Sequence, residues 1–198
     1  PITEGTEIIG GLGAPVTIER DGLGVPTITA ATIARANGNG DRGRTDSLRA
    51  LGFLHAQERF FQMDLQRRQA AGELAALAGP RAIDVDRQQR IHRMRTIAKQ
   101  ALELADPAYV AILRAYADGV NDGLHRLGAA PPEYLVLRAT PEPWVPEDSI
   151  LTLLAMFNTL QGRQAFFEQT LSALHDSLPE PMYRFLSAAG SEWETPVV

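Results

Sequence analysis

LGFLHAQERFFQMDLQRR, residues 51–68, is the stretch whose reading sets the rest of the chain in place. At helical spacing Phe53, Leu54, Ala56, Phe60, Phe61, Met63 and Leu65 form one broad apolar arc, and His55, Arg59, Gln62 and Gln66 take the opposite side. Gln57, Asp64 and Arg68, related by steps of seven and four, project from the centre of that arc, where each polar atom needs a partner on burial. Asp64 and Arg68 can pair along the helix. A carboxylate, a guanidinium and an amide nevertheless hold more donors and acceptors than one pairing satisfies. The expectation is a long helix with something else docked on its polar ladder, and a buried network joining neighbouring elements is favoured over direct catalysis.

Upstream, Val16–Arg20 and Val25–Ala30 alternate with period two around Asp21-Gly22-Leu23-Gly24 and read as a hairpin. Pro26 has no N–H for a ladder and belongs at a strand start or edge. ANGNGDRGRTDS, residues 36–47, reads as an exposed loop; its Gly38, Gly40 and Gly43 spell G-x-G-x-x-G without the leading strand that a dinucleotide fingerprint needs. Asp46 or Ser47 is expected to cap the first long helix, with Gly72 and Gly79-Pro80 at its far end.

Downstream, Ile91, Met94, Ile97, Ala98, Ala101 and Leu102 give a second helical stripe. Tyr109, Ile112, Leu113, Tyr116, Val120, Leu124 and Leu127 give a third, entered through Pro107. The prolines of PPEYLVLRATPEPWVP, residues 131–146, argue against regular helix there. Pro146, Glu147 and Asp148 then open a fourth helix, and ILTLLAMFNTLQ, residues 150–161, is apolar on nearly every side and expected to be buried. The fold class is α+β, a predominantly helical chain with an N-terminal β-hairpin. It is read as one unit over 1–198, with strands in 1–35, the Gly-rich loop in 36–47 and mainly helix in 48–198.

The 198 residues are 44% hydrophobic and 22% charged, which suits a globular chain with a real core. A net charge of -5 and no basic block argue against general nucleic-acid binding. With no cysteine there is no disulfide, thiol nucleophile or thiolate metal site. His55, His92, His125 and His175 stand singly on predicted helices and read as surface or packing residues. No G-x-S-x-G elbow is present. Phe157, Leu160, Phe166 and Phe167, with Arg163 among them, read first as core packing and second as the wall of a ligand pocket with a charged rim.

VTIERDGLGVPTITA, LGFLHAQERFFQMDLQRRQAAGELAALAGP, AYADGVNDGL and PPEYLVLRATPEPWVPEDSI, in this order, resemble the α chain of the penicillin acylase family of N-terminal nucleophile hydrolases. The resemblance implies a share in an αββα Ntn-hydrolase heterodimer, with a β chain cut from the same precursor as the partner. It implies a hydrolase, an amidase acting through an acyl-enzyme on the β-chain N-terminal Ser, whose own α-amine serves as base. No catalytic residue is then expected in this chain. Leu160, Arg163, Gln164, Phe166 and Phe167 are the implied substrate-binding residues, and Glu168 the implied single ligand to a structural calcium ion completed by the β chain. The implied substrate is a small N-acyl amide, either a penicillin-like antibiotic or an acyl-homoserine lactone; nucleic acid, membrane and an organic cofactor are not expected.

The resemblance also implies a zymogen that undergoes autoproteolytic processing and a periplasmic or secreted location, with the signal peptide removed. In part, it would explain the polar ladder and the wide apolar arc through a core shared with the β chain. Val145 stands where the family commonly has a hydroxyl cap before Pro-Glu-Asp, so the fourth helix is expected to start less well capped. Gln164 stands where phenylacetyl-specific members carry an aromatic, which favours long-chain acyl groups as competitors. The reading of another class is a non-enzymatic helical module whose apolar arc holds a partner protein or lipid.

Overall fold

The computed structural model describes residue 2 and residues 4–31, 42–160 and 166–187, with backbone alone for Arg42, Gly43 and Phe167. The chain divides into two units, Pro1–Phe157 and Asn158–Val198. No described helix is long and apolar enough to cross a membrane.

The first unit opens with an antiparallel hairpin, β1 (Val16–Arg20) and β2 (Pro26–Ala30), in which Val16 faces Ala30 and Arg20 faces Pro26. Pro26 thus sits at the strand start, where its missing N–H costs little. The turn is closed by Asp21, whose Oδ1 accepts the N–H groups of Leu23 and Val25, both at 2.9 Å.

Helix α1 runs Arg42–Ala71 and bends at Arg59, where φ is -147° and ψ 27°. It begins before the expected cap, so residues 42–47 are helix and not loop; Gly38 and Gly40 lie outside the described residues. Asp46 is buried inside the helix and caps a different segment: its carboxylate accepts the N–H groups of Gly13, at 3.0 and 3.1 Å, and Ala14, at 3.1 Å. Two further ties hold the N-terminal segment: the Ile2 N–H donates to Gln57, and Arg126 pairs with Glu7 and donates to the Ile8 carbonyl.

α1 ends at Gly72, with φ at 70°, and is followed by α2 (Ala75–Ala78), a 3-10 turn over Gly79–Ala82, α3 (Ile83–Arg90) and α4 (Met94–Leu104). Asp86 of α3 accepts the N–H groups of Leu74 and Ala75 at 2.8 Å each, which satisfies the start of α2 from outside.

α5 (Pro107–His125) is entered as its sequence indicates, with Pro107 in the first turn and the Asp106 carboxylate accepting the Ala108 N–H at 2.7 Å. It crosses α1 through residues without side chains. A Cβ built on Gly119 would lie 1.9 Å from the Arg49 carbonyl oxygen, and one on Gly52 2.3 Å from that of Tyr116. The backbones therefore meet directly. Ala56, Phe60, Met63, Ala117, Val120, Tyr134 and Trp144 close the main core around this crossing, and Ala70, Met94, Ala98 and Leu151 form a second one.

The proline-rich connector departs from its reading, because Pro132–Leu137 form a short helix, α6. Its prolines fall at the helix start, where they are tolerated, and Tyr134 is carried fully into the core. α7 (Pro146–Leu160) departs as well: Leu151 is buried, but Leu153 is 64% exposed, Met156 58% and Phe157 56%. The start of α7 is better capped than Val145 suggested. Asp148 Oδ2 accepts the Val145 N–H and the Asp148 N–H returns to the Val145 carbonyl, both at 2.9 Å.

In the second unit α8 (Phe166–Ser177) and α9 (Glu180–Leu186) pair through the His175 ring, which stands edge-on to Tyr183 at 5.0 Å.

Candidate functional site

The polar ladder of α1 is satisfied inside this chain. Gln57 accepts the Ile2 N–H at 2.7 Å and donates its amide to the Gly123 carbonyl at 2.6 Å. Asp64 is inaccessible to solvent; its Oδ1 takes Arg67 Nε at 2.7 Å and Arg68 Nε at 2.9 Å, and its Oδ2 takes the Tyr134 hydroxyl at 2.6 Å. The expectation that another chain completes the ladder is therefore corrected. The connector folds Tyr134 over α1, and Arg67, absent from the sequence-based ladder, brings a second guanidinium.

Arg67 is the hub. Its Nη1 reaches Asp148 Oδ2 at 2.6 Å and the Pro143 carbonyl at 2.8 Å, its Nη2 reaches the Glu142 carbonyl at 2.9 Å, and its guanidinium lies 5.0 Å from the Trp144 ring centre. Asp148 also takes Arg95 at 3.2 Å, and Arg95 forms a two-pronged pair with Glu73 at 2.7 Å. The result is an alternating row, Asp64–Arg67–Asp148–Arg95–Glu73, joining α1, α7 and α4. Burial works against the charge of Arg67, but Asp148 and Asp64 outweigh it and hold the guanidinium more firmly protonated than usual. The hydrogen bonds that Arg95 donates to Glu73 do the same for Arg95 against its own burial. Burial and the Asp64 hydrogen bond push the Tyr134 phenol well above its ordinary range. A row so fully paired is a clamp; no member is left free as an acid or base.

His55 and Tyr116 form a second pair between α1 and α5, with Nδ1 and Oη 2.9 Å apart. Burial, aided by Arg59 and opposed by Glu58, lowers the His55 pKa from its ordinary 6.5, and burial raises Tyr116 to about 12. The folded chain thus resists protonation of His55. Its contribution to stability is complete above pH 6.5 and is lost as pH falls from 6.5 through the lowered folded value. His55→Gln is expected to flatten the decline of the melting temperature between pH 7 and 5; an unchanged slope would remove His55 from the acid response.

The residues implied as substrate-binding fall late in the chain. Leu160 ends α7 and is 76% exposed, and Phe166 opens α8 and is 68% exposed. Arg163 and Gln164 lie outside the described residues, as does the side chain of Phe167. Glu168 is exposed in the first turn of α8. Among the described residues no three His, Asp or Glu side chains converge, so those described do not by themselves make a calcium site.

One concave feature escaped the sequence. α1, α5 and the start of α7 enclose an open cavity of about 290 Å3 with Leu51, Ile112, Leu113 and Tyr116 among its walls. The stripe that supplies Ile112, Leu113 and Tyr116 is visible in sequence, but its meeting with Leu51 depends on the glycine crossing.

A family profile described as penicillin amidase matches residues 15–192. The chain is 40% identical over 153 residues to penicillin acylase 2 proenzyme of Pseudomonas sp. SE83, covering 77% of this chain and 18% of that protein. It is 36% identical over 159 residues to the acyl-homoserine lactone acylase QuiP of Pseudomonas aeruginosa, covering 80% of this chain and 17% of that protein. The chain thus spans under a fifth of the length of these relatives. Among solved structures, a chain of the thermostable penicillin G acylase from Alcaligenes faecalis superposes with a TM-score of 0.69 at 25% identity, over 93% of this chain and 96% of that one.

Proposed function

The chain belongs to the penicillin amidase family, and on that premise we propose that it is the α-chain portion of a self-processed N-acyl amide hydrolase. The observation that carries this reading is the match of 77% of the chain to a proenzyme of which it covers only 18%. The larger remainder, as β chain, would supply the N-terminal Ser, whose hydroxyl attacks the amide carbonyl while its α-amine takes the proton. The amine leaves, and water releases the acid from the acyl-enzyme. The role of the present chain is to scaffold and to shape the acyl pocket, with Leu160, Arg163, Gln164, Phe166 and Phe167 along one wall.

Glu168 would add one carboxylate to a calcium site, and calcium needs 6 to 8 oxygen ligands or thereabouts, so most must come from the other chain. No chemical step depends on that ion. Export to the periplasm belongs to the same proposal. Between substrates, Gln164 at the position of an aromatic supports a long-chain acyl group, and the relatives named as acyl-homoserine lactone acylases support that class of amide beside the penicillins.

The test is expression of the complete precursor, with chain separation followed beside hydrolysis of phenylacetyl, short-chain and long-chain acyl amides. Hydrolysis of none of these by the processed protein would sink the reading. Leu160→Ala is expected to shift kcat/KM toward longer acyl groups by about 10- to 200-fold, the worth of a methylene-scale change in a hydrophobic pocket of about 1–3 kcal/mol. Self-processing should survive that change. Equal profiles for parent and variant would assign Leu160 to packing.

A further inference from the structure

A second open cavity, of about 670 Å3, is bounded by the end of α4, the first half of α5 and the turn of α1 that carries Arg49. Its apolar lining comes from Leu102 at the end of α4 and from Val110, Ala111 and Ala115 of α5. These three recur with Arg114 and Asp118 at steps of three and four, so one face of α5 makes the long wall. The volume falls within the roughly 300–1,000 Å3 usual for small-molecule sites.

The charges on this lining are of both signs and unequally used. Arg49 spends Nη1 on Asp118 at 3.0 Å and Nη2 on Asp122 at 2.6 Å, and its buried Nε has no acceptor. Arg114 and Glu103, which also line the cavity, are exposed and make no hydrogen bond or ion pair among the described residues, with each other or with anything else. A free guanidinium and a free carboxylate therefore share one cavity from two helices, too far apart to pair.

A ligand of a single sign would gain from one of these groups and lose to the other. With Arg49 and Asp118 the lining carries two positive and two negative side chains, so it favours neither an anion nor a cation as such. A ligand that carries both charges gains from both, and the hydrocarbon between them strengthens each contact by keeping water away.

We infer that this cavity binds an aliphatic α-amino acid as its zwitterion: the carboxylate accepts from the Arg114 fork, the ammonium donates to Glu103, and the side chain lies on Val110, Ala111 and Ala115. The inference goes beyond the acylase reading and does not rest on it.

The test is calorimetric titration of L-leucine into the complete processed protein, beside 4-methylpentanoate, which lacks the amine, and 3-methylbutylamine, which lacks the carboxylate. Saturable binding of leucine, at least tenfold tighter than of either analogue, is the expected result. Arg114→Gln and Glu103→Gln are each expected to weaken it at least tenfold, and Arg114→Lys to weaken it less than Arg114→Gln. Both side chains are exposed, so unchanged melting temperatures should accompany these losses. Ala111→Trp, which fills the cavity from an exposed position on α5, should abolish binding with both charges in place. Equal affinity in the parent and all of these variants would put leucine elsewhere in the protein and overturn the inference. The absence of saturable binding, or 4-methylpentanoate bound as tightly as leucine, would overturn it too. Binding with this pattern in a protein that cleaves no N-acyl amide would keep the site and remove the acylase.

Discussion

Gly119→Ala is expected to destabilise the chain by about 3 kcal/mol or more, the upper range for overpacking, although alanine is the better helix former by about 1 kcal/mol. The new Cβ would stand 1.9 Å from the Arg49 carbonyl oxygen and 2.8 Å from its carbon. These are backbone atoms that cannot swing aside, so α5 must lift away from α1. Val120, fully buried, and Ala117, 3% exposed, would be drawn out with it. Denaturant unfolding of parent and variant measures the cost. Gly10→Ala, where a Cβ meets nothing within 4 Å, is the control and should change stability by less than about 0.5 kcal/mol. Similar midpoints for both variants would mean that the helices can part without penalty.

Arg67→Ala is expected to cost about 3–5 kcal/mol, because it removes one partner from two buried carboxylates at once. Asp64 and Asp148 are 0% and 1% exposed. Arg68→Ala, which the bare sequence marks as the damaging change, should cost clearly less, since Asp64 keeps Arg67 and Tyr134. The order of the two unfolding midpoints decides the matter. If Arg68→Ala proves equal or worse, Arg67 is not the hub of the row.

The sequence carried much of the fold because its signals there are local. The hairpin register follows from alternation and a Gly-containing turn, and the Pro107 helix start from a proline beside an aspartate. What it did not carry are features made by chain segments far apart. Asp46 looks like a helix cap and instead holds Gly13 and Ala14, 33 and 32 positions away. Arg67 stands outside the ladder that the spacing of Gln57, Asp64 and Arg68 marks, and its part shows only when the connector brings Trp144 and Asp148 against it. α7 was expected to be buried because its sequence is apolar on nearly every side; that pattern gives the need for cover and not its source. Of the residues implied as a substrate wall, Leu160 and Phe166 are exposed, and Arg163 and Gln164 fall outside the described residues.

The three ties on the N-terminal segment have a consequence in time. Glu7 meets its partner Arg126 only across 119 positions of chain, whereas Gly13 needs 33 to reach Asp46. A ribosome adding roughly 5–20 residues per second takes on the order of ten seconds to supply the longer of these. During that interval Glu7 and Ile8 are made and not yet fastened. The segment can be latched at Asp46 and Gln57 early, but Glu7 and Ile8 between these ties must wait for the end of α5 to emerge, which makes that stretch a late step in the assembly of the fold.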